Sequence, residues 1–124
     1  MINETDLEAW GYYKDTTTYK DMTLSSYQKA ASSTAIYPTQ HAITYPALGL
    51  AGEAGEVANK VKKIIRDGKL DKAALKGEIG DCLWYIAALC RDLNIDLGDV
   101  AKSNLEKLQD RKARGTLKGS GDTR

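Results

Sequence analysis

The order of helix-start and helix-stop signals is the feature that most restricts the fold of this chain. Four residues suit the start of a helix, three as N-caps and one as a proline in a first turn, and two glycines suit helix ends. In chain order these residues are Thr23, Pro46, Gly68, Asp71, Asp96 and Gly115. No convincing strand pattern interrupts them, and the loops between them are short. We therefore predict an all-α fold of four helices with antiparallel neighbours.

These signals define one domain with a segment on either side. A chain of 124 residues favours a single domain. We expect an N-terminal extension at 1–22, the helical domain at 23–115 and a Gly-rich basic tail at 116–124. The predicted helices span about 23–34, 46–66, 71–93 and 96–115.

Composition excludes several classes of partner. The formal net charge of +1 gives no general electrostatic reason to expect nucleic acid or a membrane surface. No apolar run approaches the ~18 residues of a membrane span. Cys82 and Cys90 share a predicted helix, which separates them by about 12 Å, too far for an intrachain disulfide. Free thiols and the absence of a secretory signal predict a cytoplasmic protein, in the host cytoplasm if a phage encodes it.

Two acidic pairs lie on the second and third predicted helices. Glu53 and Glu56 occur in GLAGEAGEV, and Glu78 and Asp81 occur in EIGDCLWYIA. The ordinary explanation of one such i, i+3 pair is a solvated helix face, and Glu56 is spaced for a surface ion pair with Lys60. Helical phase, at ~100° per residue, instead places Glu53 and Glu78 within apolar stripes.

A carboxylate in an apolar stripe is costly unless a cation compensates its charge, and the third helix offers no cation on that side. Close carboxylates also raise one another's pKa. A divalent cation between the helices would remove both problems. Because the ligands are carboxylates without His or Cys at partner spacing, the pattern favours Mg²⁺, with Mn²⁺ as a substitute, over Zn²⁺ or a di-iron centre. Mg²⁺ usually binds together with substrate phosphates, so a phosphate ligand is expected.

Three glycines recur inside the second predicted helix, at Gly49, Gly52 and Gly55. Each costs about 1 kcal/mol relative to alanine, so something must compensate. Close helix packing and close approach of a ligand are both open explanations.

The fourth predicted helix combines an apolar stripe with a basic face. Its expected core stripe is Leu97, Ala101, Leu105 and Leu108. Asn104, Lys107 and Arg111 share a neighbouring face. The basic face suits either a solvated helix end or a phosphate site. In the second case Lys107, Arg111, Lys118 and Arg124 would hold the outer phosphates.

The sequence resembles MazG-like nucleoside triphosphate pyrophosphohydrolases of the all-α NTP pyrophosphatase superfamily. The resemblance covers about residues 24–124 and centres on ExxE followed by ExxD, here EAGE at 53–56 and EIGD at 78–81. The closing GSGDTR also matches. The resemblance implies Mg²⁺-dependent cleavage between the α- and β-phosphates to give a nucleoside monophosphate and pyrophosphate. It further implies a four-helix catalytic core assembled as a dimer or tetramer. Small members of this kind occur in phages and bacteria.

The resemblance also assigns roles to individual residues. The metal ligands it implies are Glu53, Glu56, Glu78 and Asp81, and Glu53 is the candidate to orient or deprotonate the attacking water. Phosphate-side positions are Tyr85, Asn104, Lys107 and Arg111. Candidates for base binding, by location, are Tyr27, Gln28, His41 and Trp84.

Three function classes stay open at this point. The first is a (d)NTP pyrophosphohydrolase in which a metal-activated water attacks the α-phosphorus, with dGTP or GTP favoured by family analogy alone. No Ser-His or Cys-His couple is evident, so no covalent intermediate is expected. The second is a non-catalytic nucleotide-binding or regulatory bundle with structural Mg²⁺. The third is a helical interaction module with solvated acidic pairs.

Overall fold

The computed structural model describes residues 20–124 of the chain. The predicted extension at 1–22 therefore lies almost entirely outside the described residues. Within this range the helices are α1 Leu24–Ala31, α2 Thr44–Asp67, α3 Lys72–Asp92 and α4 Leu97–Ala113, with short 3₁₀ turns at Ser32–Thr34 and Thr39–His41. Residues 20–124 contain no strand, which confirms the all-α prediction. None of these helices is both long enough and apolar enough to cross a membrane.

Local capping explains three of the four helix starts. The Thr23 hydroxyl accepts a hydrogen bond from the backbone N–H of Ser26, and the Thr23 N–H donates one to the Ser26 hydroxyl oxygen, a reciprocal capping box. Asp71 and Asp96 each accept a hydrogen bond from the backbone N–H three residues later. Gly68 ends α2 in the left-handed conformation at φ 67°. These caps and this stop are the ones predicted from the sequence.

The start of α2 depends on a tertiary contact. The helix begins at Thr44, two residues before the predicted proline, and Pro46 lies buried in its first turn. Ile43 just ahead of it has φ 68° and ψ −55°, and the Thr44 N–H donates to the Ala42 carbonyl at 2.8 Å, which forms a γ-turn. A β-branched residue rarely adopts positive φ, so the surrounding structure must hold this turn in place.

That support comes from Asp92 at the end of α3. Its carboxylate, with only 5% of the side chain exposed, accepts hydrogen bonds from the Tyr37 hydroxyl at 2.5 Å, the Ile43 N–H at 3.1 Å and the Arg91 guanidinium at 2.8 Å. Burial raises the pKa of Asp92, but these hydrogen bonds outweigh burial and leave the pKa below its usual value. Burial and the bond to Asp92 raise the pKa of Tyr37 to about 12. The loop before α2 is thus attached to the end of α3.

Helices α2 and α3 form an antiparallel hairpin joined by the short turn after Asp67. A small core of Ala87, Cys90 and Leu97 lies where α3 meets α1 and the first turn of α4. The predicted core stripe of α4 is only partly correct. Leu97 is 4% exposed, but Leu105 is 60% and Leu108 38% exposed. The start of α4 is held to α1 by hydrogen bonds with Ser25 and Gln28, whereas the apolar residues farther along α4 stay exposed.

Candidate metal centre between the two long helices

The α2–α3 hairpin brings three carboxylates together. One oxygen from each of Glu53, Glu78 and Asp81 lies within 4.8 Å of the others. Glu53 and Glu78 are half-buried and Asp81 is exposed, whereas Glu56 is exposed and lies outside this group. The i, i+3 spacing on α3 turns Glu78 and Asp81 to one side, and the antiparallel α2 supplies Glu53. Such an all-oxygen group suits a hard divalent cation.

The pKa of Glu53 shows the electrostatic cost of this arrangement. Burial raises the pKa of Glu53 most. It is raised further by the charge of Asp81, by a hydrogen bond with Glu78 and the charge of Glu78, and by the charge of Glu56. The exposed Glu56 therefore still contributes negative potential at the group. A cation bound between the helices would reverse this shift, because it favours the ionised carboxylates.

Lys60 supplies a positive charge that the sequence analysis placed elsewhere. Its Nζ lies 3.2 Å from Glu78 Oε1 across the hairpin, with 31% of the Lys60 side chain and 19% of the Glu78 side chain exposed. The spacing had suggested an ordinary pair with Glu56 on the same helix. Lys60 instead follows Glu53 by two helical turns on the same face of α2, and so reaches α3. The positive charge that compensates Glu78 therefore comes from α2, whereas the sequence analysis looked for a cation only on α3.

The three glycines of α2 do not share one explanation. A Cβ built on Gly49 would lie 2.1 to 2.5 Å from the ring of Tyr85, so the aromatic ring packs directly on the helix backbone. Nothing lies within 4 Å of a Cβ built on Gly52 or Gly55 among the described residues. Close packing thus accounts for Gly49 alone.

An aromatic row connects the carboxylates with the loop before α2. Tyr85 lies beside the three carboxylates. Burial raises the pKa of its hydroxyl most, and the electrostatic effects of Tyr45, Glu53 and Asp81 raise it further. The row continues with ring centroids 6.4 Å apart for Tyr45 and Tyr85, and 4.7 Å apart for the stacked Tyr37 and Tyr45. The sequence analysis did not single out Tyr37 or Tyr45. Both precede a proline, in YP at 37–38 and 45–46, and this repeated dipeptide was the available signal.

The four candidates for base binding occupy different surroundings. Tyr27 packs against the core, and burial followed by the charge of Asp81 raises its pKa. The Gln28 amide holds the backbone at the start of α4 through two hydrogen bonds of 2.8 Å. His41 is exposed in a 3₁₀ turn. The Trp84 indole donates to the Thr34 hydroxyl at 2.7 Å.

The basic candidates for phosphate binding lie on α4 and in the tail. Arg111, only 4% exposed, donates to the Asp122 backbone carbonyl and to its carboxylate, and Lys107 Nζ lies 2.8 Å from the same carboxylate. Arg124 donates to backbone carbonyls of the tail. Asn104 and Lys118 are exposed. Among the described residues, the carboxylate that Lys107 and Arg111 contact is thus that of Asp122 in the tail, not one of the three carboxylates of the hairpin.

Comparison with known proteins assigns a family to this helical arrangement. A family model described as the MazG nucleotide pyrophosphohydrolase domain matches residues 42–115, more than half of the chain. The chain belongs to the MazG family. The match includes α2, α3, α4 and all four acidic residues of the ExxE and ExxD pairs, so the resemblance inferred from those residues is confirmed. MazG membership points to a hydrolase acting on nucleotide pyrophosphate bonds.

One curated relative extends this likeness beyond the MazG domain. The "Gene 37 protein" of Mycobacterium phage L5 is 46% identical over 114 residues, which covers 83% of this chain and 100% of the relative. Its name states no activity. No solved structure matches the chain.

Proposed function

We propose that this MazG-family protein is a Mg²⁺-dependent pyrophosphohydrolase that converts a nucleoside triphosphate to the monophosphate and pyrophosphate. The observation that carries the proposal is the convergence of Glu53, Glu78 and Asp81 from two helices of the matched domain. Substrate preference rests on family analogy alone, which favours dGTP or GTP.

The carboxylate set fits the chemistry of Mg²⁺ or Mn²⁺. Glu53, Glu78 and Asp81 would hold the cation, and Glu56, one turn beyond Glu53 on α2, is the proposed fourth ligand. The bound cation supplies positive charge that activates water and stabilises charge on the leaving pyrophosphate. Glu53 would orient the attacking water and accept its proton.

The remaining site residues are assigned to the rest of the nucleotide. Tyr85 lies beside the carboxylates, where its hydroxyl can donate to a phosphate oxygen. Asn104, Lys107, Arg111, Lys118 and Arg124 are proposed for the outer phosphates. The Asp122 carboxylate already contacts Lys107 and Arg111, so this pair accommodates an oxyanion, and a phosphate would replace it. The base pocket is proposed from Tyr27, Gln28, His41 and Trp84.

A dimer or tetramer would complete the proposed site. Large apolar side chains are exposed on three helices, including Ile65 at 84%, Ile79 at 58% and Leu105 at 60%. Apolar side chains of this kind would be covered if the chain associates with a second copy. Association of two copies could bring α4 of one chain to the carboxylates of another.

The prediction of a cytoplasmic protein stays a prediction.

The test is a product assay on purified protein with Mg²⁺ and a panel of separate NTPs and dNTPs. We expect monophosphate and pyrophosphate, with turnover abolished in Glu53→Gln and Asp81→Asn while circular dichroism stays unchanged. Glu106→Gln is the matched control, because Glu106 is exposed on α4 and pairs only loosely with Lys102 at 4.0 Å. Full turnover by Glu53→Gln would remove the metal assignment. Orthophosphate as product would indicate another reaction, and nucleotide binding without product would favour the regulatory bundle.

A further inference from the structure

The ion pair between Lys60 and Glu78 occupies a ligand of the candidate metal centre. Lys60 Nζ is 3.2 Å from Glu78 Oε1, and Glu78 is one of the three carboxylates whose oxygens lie within 4.8 Å of one another. The pair is half-buried, so it is less screened than a fully exposed one. Lys60 therefore offsets part of the mutual repulsion of the three acids in the absence of any metal.

An ammonium and a divalent cation cannot both use the same carboxylate without repelling each other. A metal bound through Glu78 would lie within a few ångströms of the Lys60 ammonium unless the lysine moved. The surroundings give it room to move. Lys60 also lines a cleft of about 270 Å³, bounded by Lys63 and Lys69 among others, that opens at the α2–α3 turn.

We propose that Lys60 is an internal counter-cation of the carboxylate group and competes with the divalent metal for Glu78. This inference rests on the proposed function, since it requires that the group binds a metal. Its consequence is that the metal binds the free protein weakly. Substrate phosphates would then favour metal entry, because they offer Lys60 a new anionic partner beside the same group.

The experiment is a titration of metal alone, without nucleotide. Mn²⁺ is added to the full-length protein, and free Mn²⁺ is followed by electron paramagnetic resonance. We expect Lys60→Met to bind Mn²⁺ about two- to fivefold more tightly than the wild type, the range that corresponds to a partly exposed ion pair. Lys60→Arg keeps the positive charge and should bind like the wild type. Lys63→Met removes the same charge one turn away and should also leave the affinity unchanged.

The controls separate this inference from the function on which it rests. Glu53→Gln should weaken Mn²⁺ binding in both the wild-type and Lys60→Met backgrounds. If it does so, but Lys60→Met binds no more tightly than the wild type, the counter-cation role is overturned and the metal centre stands. If neither the wild type nor Lys60→Met binds Mn²⁺, both proposals fail. Mn²⁺-induced shifts in melting temperature give a second readout and should rank the variants in the same order.

Discussion

Replacement of Gly49 by alanine should destabilise this protein, although alanine is the better helix former. The helix preference alone would stabilise the folded state by about 1 kcal/mol. The added Cβ, however, would lie 2.1 Å from Tyr85 Cε1 and 2.4 Å from Cζ, far inside the ~3.5 Å of ordinary carbon contact. Trp84, edge-on with centroids 5.0 Å apart, and Tyr45, at 6.4 Å, flank the ring, so its movement away from a new Cβ would disturb these aromatic contacts.

Overpacking of this kind costs about 1–3 kcal/mol, and a contact this short belongs at the upper end of that range. The net expectation for Gly49→Ala is a loss of about 1–2 kcal/mol in the free energy of unfolding. That corresponds to a melting temperature roughly 5–10 °C lower for a domain of this size. Gly52→Ala, with nothing within 4 Å of its new Cβ, should instead gain about 0.5–1 kcal/mol.

Thermal and urea unfolding at one fixed protein concentration would measure both effects. A double-mutant cycle with Tyr85→Leu identifies the cause, because Gly49→Ala should become stabilising once the ring is removed. If Gly49→Ala raised the melting temperature of the otherwise wild-type protein as much as Gly52→Ala does, the argument from steric overlap would be refuted.

Three further predictions concern other parts of the molecule. Asp92→Asn should lower the free energy of unfolding by about 2 kcal/mol at neutral pH. The folded-state pKa of Asp92 is lowered, so the stability that its carboxylate contributes is complete above the unfolded pKa of ~3.9. That stability disappears as the pH falls through the folded-state pKa. Acid titration of stability should therefore be shallower in the variant, and equal slopes would contradict this account. Mn²⁺ at one hundred times its Kd should raise the free energy of unfolding by about 2.7 kcal/mol, and calorimetry should show no such gain in Asp81→Asn. Leu105→Lys should reduce the oligomeric state seen by sedimentation, and an unchanged mass would exclude Leu105 from the interface.

The parts of the fold that the sequence predicted are those set by neighbouring residues. Thr23, Asp71 and Asp96 cap helices through the backbone three residues away, so their roles can be read locally. The start of α2 could not be read in this way. It depends on Ile43 and its hydrogen bond to Asp92, which is 49 residues distant.

The candidate site shows the same division. Helical phase was enough to turn Glu53 and Glu78 toward the hairpin interface, because the period of an α-helix is fixed. The Lys60 contact was missed because it joins two helices, and pairing rules for one helix do not consider it. Periodicity likewise identified Leu105 as part of an apolar face, but it cannot say whether that face is covered within one chain.

The packing of Tyr85 on Gly49 has a consequence for ion discrimination. Gly49 precedes Glu53 by four residues, and Tyr85 follows Asp81 by four residues, so the contact lies one helical turn from the carboxylates on both helices. The aromatic ring therefore limits how closely α2 and α3 approach one helical turn from Glu53 and Asp81. Mg²⁺ needs oxygens at about 2.0–2.1 Å and Ca²⁺ at about 2.3–2.6 Å, so in the proposed metal centre the helix spacing that this ring limits would bear on which of the two ions fits.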